Sequence, residues 1–100
     1  MDSFTMEVIS AIKQIPSGKV SSYGRIARIA GNSRGARQVS RILHTLSKKH
    51  NLPWHRVISS TGKIVIQDEQ NAILQKELLL NEGVQVSPQN TVDMKIYAIY

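Results

Sequence analysis

Residues 33–48 read Ser33-Arg34-Gly35-Ala36-Arg37-Gln38-Val39-Ser40-Arg41-Ile42-Leu43-His44-Thr45-Leu46-Ser47-Lys48. Ala36, Val39, Ile42, Leu43 and Leu46 recur at helical spacing and share one face, while Arg34, Arg37 and Arg41 fall on the opposite face at i, i+3 and i+7. Ser33 stands where an N-cap would, so the spacing predicts a helix over 34–48. Upstream, Ser22 is placed to cap a shorter helix over 23–30 that stops at Gly31. Two short helices around a glycine turn, the second with an arginine face, have the form of a helix-turn-helix. Arginines also line ordinary solvated helix faces, so this stretch has to be read with the rest of the chain.

Working outward, residues 3–15 read as a first helix, with Ser3 as N-cap and Phe4, Val8, Ala11, Ile12 and Ile15 as its apolar stripe. Pro16-Ser17-Gly18 ends it, and Lys19-Val20-Ser21 reads as a short extended piece. On the other side a polar turn over 49–56 leads to Val57-Ile58. The turn residues Ser59-Ser60-Thr61-Gly62 and then Lys63-Ile64-Val65-Ile66 predict a small hairpin, or wing. A fourth helix is expected over 69–82, with Ile73, Leu74, Leu78 and Leu79 inward and Gly83 closing it. The tail Val92–Tyr100 alternates weakly, and both an edge strand and a loosely packed arm fit it. The expected fold is mainly α: a small winged-helix domain with one short β-hairpin, spanning 1–100 as a single domain with 85–100 as a C-terminal tail.

Charge narrows the partners. Between Glu7 and Asp68 there is no acidic residue, and the same stretch carries eleven lysines and arginines; the net charge of the chain is +6. A long segment of one sign attracts a polyanion, and nucleic acid fits better than an anionic membrane because the bases are interleaved with core-forming positions. Apolar residues at 41% and charged residues at 20% belong to a folded domain and not to a disordered tail. Leu78-Leu79-Leu80 is the longest aliphatic run, too short for a membrane span, and the N-terminus with Asp2 and Glu7 does not read as a signal peptide. An intracellular protein is expected, cytoplasmic, or nuclear in a eukaryote. The absence of cysteine excludes disulfides, thiolate metal sites and cysteine nucleophiles. His44, His50 and His55 have no carboxylate near them in sequence, so neither a metal nor any other cofactor is expected.

Four blocks together carry a resemblance. Ile15-Pro16-Ser17-Gly18-Lys19-Val20-Ser21-Ser22-Tyr23-Gly24, Ala36-Arg37-Gln38-Val39, Pro53-Trp54-His55-Arg56-Val57-Ile58 and Lys76-Glu77-Leu78-Leu79-Leu80-Asn81-Glu82-Gly83 closely resemble the DNA-binding domain of the O6-alkylguanine-DNA alkyltransferases. They follow in the family's order with nearly its spacing, covering residues 4–84. The enzymes carry a cysteine in a Pro-Cys-His-Arg motif, where it accepts the alkyl group; here that position is Trp54. An indole cannot act as a thiolate nucleophile. Tryptophan at this place is similar to the alkyltransferase-like proteins, so the resemblance implies a protein that is not an enzyme. Two further departures alter the pocket walls: Lys48–Leu52 replaces the family's Asn-Pro segment, and Gln67–Ala72 lacks its Tyr-Ser-Gly-Gly-like stretch.

The resemblance also implies roles. Tyr23 would press on the DNA backbone at a flipped nucleotide, and Arg37 would fill the gap left in the base stack and pair with the orphaned base. Trp54 would form an apolar wall for the alkyl group, completing a lesion pocket with Tyr23 and Arg37. Ser33, Gly35 and Ala36 are small enough for the start of the third helix to approach phosphate, with Arg34 and Arg41 beside them. His55 and Glu82 match the residues that activate the cysteine in the enzymes; without a thiol they read as a retained structural network, in which Arg56 braces the loop. Plainer readings stand beside these: Tyr23 as helix-start packing, Trp54 as core. The implied partner is double-stranded DNA containing O6-alkylguanine, bound by a monomer through the minor groove and handed to nucleotide excision repair proteins. A helix-turn-helix considered alone instead predicts a sequence-specific winged-helix regulator reading the major groove.

Overall fold

The computed structural model describes residues 1–100. Its first helix, α1 (Ser3–Lys13), is capped one residue earlier than the sequence suggests. Asp2 is extended and its carboxylate accepts from the Thr5 N–H at 2.7 Å, a stronger acceptor than the Ser3 hydroxyl would be. The helix also ends two residues early, because a residue preceding proline disfavours helical backbone. Ile15 is nonetheless buried. The second helix, α2 (Tyr23–Ile29), is capped as expected: the Ser22 hydroxyl accepts from Arg25 N at 3.1 Å. The third, α3 (Ala36–His50), packs on α1 and α2 around Val8, Ile12, Ile26, Val39 and Val57, all completely buried. Each such side chain contributes about 1.5–3 kcal/mol through burial.

The predicted hairpin takes another form. Strand β1 (Ser21–Ser22) pairs in parallel with β2 (Val57–Ile58), in the register Ser21 to Val57 and Ser22 to Ile58. The turn after β2 does close, with Ser59 N donating to Lys63 O at 3.1 Å, but the chain beyond it does not return along β2 as a wing. Lys63 forms an antiparallel bridge with Thr91 instead, and Ile64 N donates to Asn90 O at 3.0 Å. Val57 and Ile58 are both buried, so β2 is covered on both faces, the condition of a parallel strand and not of an alternating hairpin arm. Gly62, at φ +87°, permits this path: a Cβ there would collide with the Val92 carbonyl oxygen.

Helix α4 (Glu69–Asn81) is capped by Asp68 and ends at Glu82, with Gly83 following at φ +87°. Only a narrow stripe faces inward. Gln75 and Leu79 are buried and Leu78 is half-buried, whereas Ile73 and Leu74, expected inside, are 46% and 42% exposed. Apolar residues on several sides of this helix leave its inner face undetermined by periodicity. The tail keeps an edge contact, in line with one sequence reading, but it also holds a helix that neither reading names and is not loosely packed. A short helix α5 (Met94–Tyr97) precedes an edge contact in which Val20 N donates to Tyr97 O at 3.0 Å and Ile99 N to Val20 O at 2.9 Å. The Tyr100 hydroxyl donates to the Ala11 carbonyl at 2.7 Å, so the arm is docked. No helix is long and apolar enough to cross a membrane.

Candidate nucleic-acid interface

The turn between α2 and α3 presents the first group of candidate residues. Helix α3 begins at Ala36 with Gly35 as N-cap, so Ser33 and Arg34 lie in the turn and not on the helix. The Ser33 cap is displaced because Asn32 organises the turn: its side-chain oxygen accepts from Arg34 N at 3.1 Å and its carbonyl from Gly35 N at 2.9 Å. Gly35 is buried, and a Cβ there would stand 2.7 Å from the ring of Phe4. No side chain caps α3, so its first-turn N–H groups are left for solvent or an anion. Ser33, Arg34, Arg37 and Arg41 are exposed and Ala36 is half-buried. The ion pairs of the chain are His55–Glu82 and Arg56–Glu82, leaving all three of these arginines unpaired. With Arg34 off the helix, the arginine face of α3 consists of Arg37 and Arg41.

Tyr23 opens α2 half-buried against the α1–α3 core, and burial pushes its phenol above the ordinary tyrosine range. Packing is thus part of its role.

Trp54 opens a 3-10 turn, Trp54–Arg56, between α3 and β2. Asn51 ends α3 in the left-handed conformation at φ 52°, and Leu52 plunges into the core, so the turn starts from an anchored point. The indole is half-buried, belongs to neither core cluster, and meets the His55 imidazole edge-on at a centroid distance of 6.2 Å.

Beneath the turn, Glu82 gathers His55, Arg56 and the Gly18 backbone. It accepts from Arg56 Nη2 at 2.7 Å and from Gly18 N at 3.2 Å, and its Oε2 is hydrogen-bonded to His55 Nε2 at 2.7 Å. Arg56 Nη1 donates to the Ile15 carbonyl at 2.8 Å. Burial would raise the Glu82 pKa, but the hydrogen bonds from Arg56, His55 and Gly18 outweigh it and bring the carboxyl down to about 2. Arg56 is therefore occupied as a brace. The sequence reading missed Gln75, buried on α4, whose side-chain N–H group donates to the carbonyls of His55 and Val57 at 3.2 and 3.1 Å. Its place, seven residues before Glu82 on one helix, was the available signal.

Comparison with known proteins matches residues 3–84 to the family described as 6-O-methylguanine DNA methyltransferase, DNA binding domain. A protein of Vibrio parahaemolyticus named DNA base-flipping protein is 41% identical, with 97% of this chain and 96% of that protein covered. Alkyltransferase-like protein 1 of Schizosaccharomyces pombe is also 41% identical, over 96% of this chain and 90% of its own length. The crystal structure of the Schizosaccharomyces pombe protein in complex with damaged DNA containing O6-carboxymethylguanine superposes with a TM-score of 0.88 at 37% identity, covering 100% of this chain and 97% of that one. With the fold, the order of the elements and the sequence in agreement over this span, the chain belongs to the O6-alkylguanine-DNA alkyltransferase family, among its alkyltransferase-like members.

Proposed function

We propose that the chain recognises O6-alkylguanine in double-stranded DNA by rotating the damaged nucleotide out of the stack, and that it holds the lesion without performing chemistry on it. The observation that carries this reading is Trp54: a half-buried indole on a braced turn, in a chain with no cysteine. The likeness of Pro53-Trp54-His55-Arg56 to the enzymes' Pro-Cys-His-Arg motif assigns it the place of the alkyl acceptor. The indole face offers apolar, polarisable contact to an alkyl group and no leaving or attacking group. Arg37, exposed and unpaired on α3, is free to enter the base stack and offset part of the unstacking cost. Tyr23 braces the core with one side of its ring and meets the backbone of the rotated nucleotide with the other. Arg34, Arg41, Ser33 in the turn and the uncapped start of α3 at Ala36, which the small Gly35 leaves open, hold phosphates.

The names of the relatives support flipping and damage binding as the activity. Acting as a monomer and handing the complex to nucleotide excision repair extend the proposal. The test pairs two duplexes that differ in one O6-methylguanine, radiolabelled on the methyl group. The lesion duplex should bind more tightly, with no label passing to protein and the lesion intact afterwards. Label on the chain, or equal affinity for both duplexes, overturns the reading.

A further inference from the structure

We infer that Gln75 is a positioning residue for lesion recognition: from α4 it fixes the height of the Trp54 turn, and through it the discrimination between damaged and normal guanine. This rests on the function proposed above. Gln75 is 1% exposed, in a helix whose buried residues are otherwise apolar. Both N–H bonds of its amide are used, one to the His55 carbonyl and one to the Val57 carbonyl, on either side of Arg56. The amide cannot be turned over, because that would set its oxygen against two carbonyl oxygens. Held this way, its Oε1 is buried without a partner, a cost that a methionine or leucine would avoid. A buried polar group left half-satisfied at this spot has its use in the bonds it does make.

Those bonds reach backbone, which gives them a different effect from the rest of the network. Glu82, the residue that ends α4, grips the side chains of His55 and Arg56. Gln75 grips the main chain of the turn and of the first residue of β2. Within the turn the internal bonds are Arg56 N to Pro53 O at 3.0 Å and Val57 N to Trp54 O. These shape the turn but do not tie it to α4. Without Gln75 the turn keeps its fold and its ion pairs while its main chain is freed from the helix, so the indole loses its fixed position relative to α3.

The experiment compares wild type with Gln75→Met, which has similar length and no donor. It reads affinity for undamaged duplex, affinity for the same duplex with one O6-methylguanine, and the emission of Trp54 in the free protein. Undamaged affinity should stay within about twofold, the lesion-to-normal ratio should fall at least about fivefold, and the emission should shift to longer wavelength as water reaches the ring. An unchanged ratio, or a parallel fall of both affinities with the melting temperature, overturns the inference. If the methionine variant does not fold, Gln75→Leu, which likewise has no donor and no unpartnered oxygen, carries the test: a fallen ratio in the folded variant supports the inference and an unchanged ratio overturns it. A wild type without lesion preference would instead defeat the functional proposal, so the two failures are distinguishable.

Discussion

Glu82 Oε2 and His55 Nε2 stand 2.7 Å apart, and the same oxygen accepts from Arg56 at 2.7 Å. One carboxylate thus joins the two residues that follow Trp54 to the end of α4, while Arg56 reaches on to the Ile15 carbonyl beyond α1. These bonds hold the turn that begins at Trp54. Their strength should be visible in the pH dependence of stability. Glu82 is brought down to about 2 from an ordinary value of 4.5. The folded form therefore holds its proton less tightly than the unfolded form does. The stabilisation is complete above pH 4.5 and is lost as pH falls from there toward 2, to a total on the order of 3 kcal/mol. Denaturant titrations at a series of acidic pH values should show this decline, and Glu82→Gln should flatten it. An identical pH profile for the variant would mean that the network adds nothing to stability.

Arg37→Ala should weaken binding to the lesion duplex by roughly 1–3 kcal/mol, in the range of a base-reading contact. Arg28→Ala is the appropriate control, since Arg28 donates to the Tyr100 carbonyl at 3.0 Å. It should lower the melting temperature slightly and leave the lesion-to-normal ratio unchanged. Equal, small losses for both variants would show that net charge matters and an inserted arginine does not.

Trp54 is the only tryptophan, so indole fluorescence reports on this one position. Saturation with lesion duplex should quench its emission more than saturation with undamaged duplex, which is held mainly through phosphates. Trp54→Ala should keep the salt-dependent background binding, whose proposed phosphate contacts lie on α3 and the turn before it, and lose most of the discrimination. Emission indifferent to the lesion would place the indole outside the pocket.

Gly62→Ala should cost about 2–4 kcal/mol, because it combines a left-handed backbone with overpacking. Gly62 lies at φ +87° and its missing side chain makes room for the Val92 carbonyl. Thermal unfolding measures this directly. A variant as stable as wild type would show that the 59–63 turn and the tail separate without penalty.

The first three helices were legible because each has a signal with one reading. The alternation of Val39 and Ile42 with Arg37 and Arg41 leaves α3 a single way to lie on a core, and Ser22 has one helix to cap. The parallel pairing of β1 with β2 was not legible, since two-residue strands have no period to read and their partners are 36 residues apart. Nor was the inner face of α4, where Ile73, Leu74, Leu78 and Leu79 offer too many candidates and the buried position belongs to the polar Gln75. Caps shifted by one or two residues: from Ser3 to Asp2, because the Asp2 carboxylate takes the Thr5 N–H, and from Ser33 to Gly35, because Asn32 draws the Arg34 and Gly35 N–H groups into a turn. At the site, the motif marked Trp54, His55, Arg56 and Glu82, but only coordinates show Gln75 reaching the main chain between them.

The docked arm has a consequence for how the protein is made. The hydroxyl of Tyr100 bonds to Ala11, and Ile99 to Val20, so helix α1 and the residue before strand β1 receive their last partners from residues some eighty to ninety positions later. The early helices therefore emerge from the ribosome with that flank uncovered, and it stays so until residue 100 has cleared the exit tunnel. Closure of the domain is a step after synthesis of this stretch and not during it.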